Sequence, residues 1–300
     1  MDTFIITISY LLLGIILRRI RGIPDNFSNC LNLFVIYVSL PALVLLKVPQ
    51  MGFGNHLLFV IVLPWVMVAF SAVAVLFFAK IFRWQRTITG CLLLMVPLGN
   101  TSFLGIPMVR AFLGEAAIAY AMIYDQLGSF LALSTYGSFV LALFSKSDGV
   151  KPGIKDIVLK IATFPPFIAL VFAFLARGVS YPGPVTELLS SLGGTLVPVV
   201  MIAVGYQLSL RLEPGTFQPL LTGLGVKLGL APLAALMLVK ALGLEGEAVK
   251  VAVFEAGMPP MVSAGALAIM AGLSPRLTAA LVGLGIFLSF VTLPVLFQFL

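Results

Sequence analysis

The amino-acid sequence predicts an all-α polytopic membrane protein. Ten transmembrane helices form two inverted five-helix repeats, with a broken fourth and a broken ninth helix crossing near the midplane. Three observations carry this expectation. The 300 residues are 61% hydrophobic and 10% charged, with a mean hydropathy of +1.15, more apolar surface than a soluble domain of this size needs. The apolar residues gather in runs long enough to cross a bilayer. Two of these runs, at matching places in the two halves, are interrupted by proline, glycine and polar residues, a pattern that points to binding sites in secondary transporters.

The runs cover about 2–17, 28–46, 57–82, 88–112, 116–144, 157–176, 185–210, 216–243, 248–271 and 275–299. The first ends at Arg18, Arg19 and Arg21. It lacks a basic leading region and a small-residue cleavage site, so it reads as a spanning helix and not as a signal peptide. Ser145 to Asp156 is the most polar stretch, with Lys146, Asp148, Gly149, Lys151, Pro152 and Lys155. It divides the chain into a first repeat (1–144), a central cytoplasmic loop (145–156) and a second repeat (157–300). Leu31 to Pro41 and Leu188 to Pro198 share their spacing at an offset of 157, and Gly99/Gly257 and Gly114/Gly272 match at 158. Five is odd, so the second copy enters the membrane from the opposite side.

Lysine and arginine set the orientation. Loops after odd runs hold twelve of them (Arg18, Arg19, Arg21, Lys80, Arg83, Arg86, Lys146, Lys151, Lys155, Lys160, Arg211, Arg276). Loops after even runs hold five (Lys47, Arg110, Arg177, Lys240, Lys250), and Lys227 lies within the eighth run. Odd loops are therefore expected in the cytoplasm and both termini outside. The net charge of +7 belongs to these loops and implies no nucleic acid. Lys47, Arg110, Arg177 and Lys240, at run ends, read as interface anchors. Cys30 and Cys91 are lone and imply neither a disulfide nor a metal cluster. His56, the single histidine, sits in a short polar loop as a surface residue.

The fourth run contains Val96-Pro97-Leu98-Gly99-Asn100-Thr101-Ser102-Phe103-Leu104-Gly105-Ile106-Pro107. Proline removes a backbone donor and clashes with the preceding turn, and glycine holds a helix weakly. In hydrocarbon the freed groups are tolerated only where protein or a water-filled cavity satisfies them. The segment reads as a helix broken at a site faced by Asn100, Thr101 and Ser102. The alternative is a proline-kinked helix whose hydroxyls bond back to it. The ninth run repeats the pattern at Phe254-Glu255-Ala256-Gly257-Met258-Pro259-Pro260-Met261-Val262-Ser263-Ala264-Gly265.

Asp125, Lys227 and Glu255 lie deep inside runs, where a charge is expensive and is a functional candidate by default. They are candidates for ion or proton coupling. A buried ion pair, such as Lys227 with Glu255 or Asp125, is the structural alternative. Half-helix N-termini suit a carboxylate. Asn100 can donate and accept, Thr101, Ser102 and Ser263 add hydroxyls, and Asp125 or Glu255 could bind H⁺ or Na⁺. Tyr206 and Gln207 form a further polar pair or mark the interface. No His-Glu-x-x-His, Gly-x-Ser-x-Gly or Walker-type lysine loop occurs, so no enzyme or ATP-driven pump is indicated.

Asn100-Thr101-Ser102-Phe103-Leu104-Gly105-Ile106-Pro107, followed by Gly114, resembles the fourth-helix motif of auxin efflux carrier family transporters. Glu255-Ala256-Gly257-Met258-Pro259, followed by Leu273-Ser274-Pro275, is similar to the ninth-helix region of the same family. The resemblance covers essentially the whole chain. It implies the bile-acid/auxin transporter fold, with helices 4 and 9 crossing in a transport domain (helices 3–5 and 8–10) and helices 1, 2, 6 and 7 in a scaffold that often dimerises. It also implies a small organic anion moved by an elevator-type shift across the cell membrane. Carried over by position, Asn100 and Pro107 belong to the first crossover segment and Pro259 to the second. Pro260 stands where plant members carry glutamine, and the central loop is short. The expected partners are thus a small organic anion, the lipid bilayer and a second copy of the chain, with no cofactor beyond a coupling ion, Na⁺ or H⁺. The alternatives are a sodium-coupled symporter of larger amphipathic anions and a membrane sensor that binds without translocating.

Overall fold

A computed structural model of the chain describes residues 2–24, 26–50, 57–145, 153–179, 181–208 and 216–300. His56, Arg211, and Lys146, Asp148, Gly149, Lys151 and Pro152 of the central loop lie outside the described residues. Among the described residues every regular element is helical, apart from one isolated bridge between Gly99 and Pro260. In chain order the helices are α1 (Asp2–Leu17), α2 (Phe27–Gln50), α3 (Leu57–Phe82), α4 (Arg86–Met95), α5 (Thr101–Leu113), α6 (Ile118–Phe144), α7 (Ile154–Ala162), α8 (Pro165–Leu175), α9 (Gly183–Gln207), α10 (Phe217–Leu242), α11 (Glu247–Ala256), α12 (Val262–Met270) and α13 (Pro275–Phe297). Each of the ten apolar runs contains helix among its described residues. Six of these helices, α2, α3, α6, α9, α10 and α13, are long and apolar enough to cross a membrane. They leave large apolar side chains such as Val73, Phe77, Met237, Phe287 and Val291 exposed, as a lipid-facing surface requires.

The fourth and ninth runs are each interrupted: α4 stops at Met95 and α5 begins at Thr101, while α11 stops at Ala256 and α12 begins at Val262. Gly114 and Gly272 follow α5 and α12 with φ of 92° and 70°. At that backbone angle glycine ends a helix without a Cβ penalty, which gives the matched glycine positions a physical reason.

Three other prolines are absorbed without a break. Val35–Ser39, Thr101–Gly105 and Val226–Leu230 are wide π-turns, and each is followed two residues on by a proline, Pro41, Pro107 or Pro232. In the first and third the closing amide reaches back five residues, from Leu40 to the Val35 carbonyl and from Ala231 to the Val226 carbonyl. The carbonyl four residues before each proline, the one its ring would strike, lies at the centre of the turn.

The described chain forms two compact units. The first comprises 1–55, 102–122 and 158–208, and the second 56–101, 123–157 and 209–300. In the first, α1 packs along the second half of α9. Gly14 and Gly205 face each other there: a Cβ on Gly14 would strike the Ile202 carbonyl, and one on Gly205 the Leu11 carbonyl. Small residues at such crossings let backbones approach closely. A hydroxyl pair, Ser39 with Thr195 at 2.7 Å, ties α2 to α9. In the second unit the core gathers Leu92, Leu94, Met95 and Leu98 with Leu224, Ala264, Leu277 and Leu281. Pro64 of α3 is seated against the bare Cα of Gly128 in α6, and the Trp65 indole N–H donates to the Leu127 carbonyl at 3.0 Å.

Gly205→Val places a branched side chain where only backbone fits. It is expected to destabilise the protein by at least the ~1–3 kcal/mol of core overpacking, seen as a lowered Tm in detergent. Gly194→Ala, in the same helix with nothing within 4 Å of the added methyl, should leave Tm unchanged.

Candidate functional site

Opening a helix exposes backbone groups, and the two opened helices satisfy each other. The Asn100 N–H donates to the Pro259 carbonyl at 2.8 Å, and the Met261 N–H donates to the Leu98 carbonyl at 3.0 Å. These bonds flank the antiparallel pair Gly99 and Pro260. Pro259 and Pro260 have no N–H, so the second break offers its carbonyl at 259 and its first donor at 261. All of these residues are buried and belong to the second unit. Gly285 of α13 lies beneath the prolines: a Cβ there would stand 2.6 Å from Pro260 Cδ.

Three charged side chains converge on the first break. Asp125 is 1% exposed. It accepts from the Thr101 hydroxyl at 2.6 Å and from Gln126 Nε2 at 2.6 Å, so the first residue of α5 is tied directly to a carboxylate of α6. Lys227 is buried, and its ammonium lies against Gly99, where a Cβ would stand 3.1 Å from Nζ. Glu255, in the last turn of α11, is 1% exposed, and neither of its carboxylate oxygens has a hydrogen-bond partner. Asn100 Nδ2 and Gln126 Oε1 are likewise buried without one. Asp125 and Lys227 both occupy π-turns, Tyr124–Phe130 and Val226–Leu230, the kind of local distortion that recurs at functional sites.

Thr101, Tyr124, Ser129, Lys227 and Glu255 line one small cavity in this unit, walled by Pro64, Met67 and Gly99. Its volume is about 10 Å³, room for a single water-sized particle and not for an organic anion. A particle there would meet hydroxyl, ammonium and carboxylate groups.

The structure thus brings together Asn100, Thr101, Pro259, Asp125, Lys227 and Glu255. Ser263, in the first turn of α12, is exposed and does not line the cavity. Ser102, half-buried, and Pro107, buried, fall in the first unit. Tyr206 has a structural use: its hydroxyl donates to the Pro24 carbonyl at 3.2 Å and its ring packs edge-on against Phe27. Cys91 is buried beside the Thr278 hydroxyl. Among the described residues no group of His, Cys, Asp and Glu is arranged to hold a metal ion. The sequence reading passed over Gln126, Tyr124 and Ser129, although a glutamine beside an aspartate in an apolar run was a visible signal. Lys47 and Arg110, at run ends, both reach Glu115, at 3.0 and 2.5 Å, a pairing the sequence reading did not foresee.

The model of a family described as membrane transport protein matches residues 2–152 and 153–297. An uncharacterized transporter of Methanocaldococcus jannaschii is 27% identical over 269 residues, covering 86% of this chain and 85% of its own. An uncharacterized transporter of Methanothermobacter thermautotrophicus is 25% identical over 296 residues, 98% of this chain and 96% of its own. A proposed malonate transporter of Rhizobium meliloti is 26% identical over 208 residues, 66% of this chain and 63% of its own.

Thr101→Val keeps the side-chain shape and removes the donor to Asp125. Losing a hydrogen bond to a buried charged group is expected to lower stability by ~1.5–3 kcal/mol, measured as the shift in unfolding midpoint. A shift below about 0.5 kcal/mol would show that Asp125 does not depend on this hydroxyl.

Proposed function

The chain belongs to the membrane transport protein family, the auxin efflux carriers its sequence resembles, and from that premise we propose a secondary transporter that moves a small organic anion across the cell membrane by elevator-type alternating access. It is a multi-pass membrane protein and a transporter of this family. The finer reading has ten spans in two inverted repeats. Helices α1, α2, α7 with α8, and α9 serve as a scaffold that pairs into a homodimer, and α3–α6 with α10–α13 make up the transport domain. Both termini lie outside, as the distribution of lysine and arginine favours. The cargo class is a carboxylate, of auxin-like or dicarboxylate type; the name of the Rhizobium relative points to the latter.

One observation carries the reading. Two helices open at the same place, join by their main chains, and leave Asn100 Nδ2 and both Glu255 carboxylate oxygens buried without hydrogen-bond partners. Buried polar groups are almost always paired, and a pair of orphans beside an opened backbone is what a ligand site requires. Asn100 Nδ2 is a donor suited to an anion's oxygen. The α12 N-terminus at the second break adds a partial positive charge. Asp125, Glu255 and Lys227 together sum to one negative charge, which one H⁺ or one Na⁺ would cancel. That balance and the water-sized cavity beside the cluster support a coupling role for it.

Asn100→Ala should weaken cargo binding about ten- to a hundred-fold, the loss of one hydrogen bond to a charged group, while Tm stays near that of the unmodified protein. The two are measured side by side in detergent, with flux followed in proteoliposomes. Stability that collapses while affinity holds would make Asn100 a structural residue only. Binding without flux in the unmodified protein would instead identify a sensor.

Glu255→Gln mimics the neutral carboxyl. It should abolish accumulation driven by an H⁺ or Na⁺ gradient while counter-exchange of cargo continues. Accumulation that persists in this variant removes Glu255 from the coupling role.

A further inference from the structure

The first unit holds a larger cavity, about 260 Å³, below the 300–1,000 Å³ typical of drug-sized ligands. Its polar side is formed by Lys47 of α2, Arg110 of α5 and Glu115 of the α5–α6 connection. Its apolar side is formed by Leu43, Ile106 and Val197. Glu115 holds Arg110 Nε with one oxygen at 2.5 Å and Lys47 Nζ with the other at 3.0 Å. Two cations from two helices thus converge on a single carboxylate and leave a formal charge of +1 on the cavity wall.

Stability does not account for this arrangement. The three side chains are 25%, 37% and 49% exposed, and ion pairs this wet contribute little because water screens them and the long side chains lose freedom. The arrangement instead has the geometry of a filled carboxylate site: two donors, one per oxygen, with apolar walls alongside.

We propose that this cavity captures small carboxylates, and that Glu115 is a tethered occupant which the incoming anion displaces. The ligand's carboxylate takes the two contacts that Glu115 now makes, and its hydrocarbon body lies against Leu43, Ile106 and Val197. With Glu115 displaced, the pair offers a charge of +2, so a second negative group on the ligand is tolerated. The inference rests on the organic-anion reading above but names a different site. With both termini outside, as proposed above, this end of α2 and α5 faces outward, so the site would receive anions from outside the cell.

The test uses the full chain in detergent and butyrate as probe, titrated calorimetrically at ionic strength matched with sodium chloride. Glu115→Gln removes the competing carboxylate and keeps the side-chain shape. Butyrate should bind it about ten-fold tighter, in the unmodified background and in the Asn100→Ala background alike. Arg110→Gln added to Glu115→Gln should erase the gain. Should Glu115→Gln fail to fold, Glu115→Asp, whose shorter arm cannot reach both cations, should tighten binding in the same direction. An unchanged or weaker affinity in folded Glu115 variants overturns the inference, as does an equal response to chloride. Loss of flux in Asn100→Ala together with no effect of Glu115→Gln removes this site and leaves the transport reading standing. Tighter butyrate binding in Glu115→Gln without flux in the unmodified protein does the reverse.

Discussion

Everything at the centre of the second unit depends on two main-chain hydrogen bonds, Asn100 to Pro259 and Met261 to Leu98. In hydrocarbon an unpaired N–H or C=O costs several kcal/mol, because no water replaces the lost partner. A single opened helix would carry that penalty alone. Two helices opened in register cancel much of it for each other. Local sequence choices then follow: prolines where only a carbonyl is needed, glycine where the Lys227 ammonium must come close, and Gly285 where a Cβ would strike Pro260.

The same economy of backbone groups governs the prolines that do not break their helices. A proline inside a helix strikes the carbonyl four residues back. At Pro41, Pro107 and Pro232 that carbonyl belongs to Tyr37, Phe103 or Leu228, the middle residue of a π-turn in each case. The widened turn relieves the clash without exposing the backbone to lipid. At Val226–Leu230 it also sets the position of Lys227 along α10. Helix geometry and the placement of charge are here one problem with one solution.

The all-helical class and the six membrane-long helices were legible because each is a long apolar run, and the two breaks because proline, glycine and asparagine together are poor company for a spanning helix. Asp125, Lys227 and Glu255 stood out by charge alone. What stayed hidden depends on helical phase and partner choice. Nothing in the run around Asp125 announces a π-turn, so its pairing with Thr101 and Gln126 could not be read from spacing. Ser263 is three residues beyond Pro260, near enough to the break to look like a site residue, yet its phase on α12 turns it outward. Lys47 and Arg110 each lie at a helix end, where an interface anchor is the ordinary expectation. That both meet Glu115 needs three segments placed in space.

A bond made only by main-chain atoms is indifferent to side-chain identity. At positions 100 and 261 substitution by proline alone deletes the donor, and at 98 and 259 no substitution deletes the acceptor. The junction of the two breaks is therefore robust to drift in a way that a side-chain clasp could not be. Chains that have diverged to about a quarter identity, as the archaeal relatives have, can retain such a junction while the residues around it are replaced. The scaffold of the site and its chemical selectivity can thus evolve separately, and a new cargo requires no new architecture.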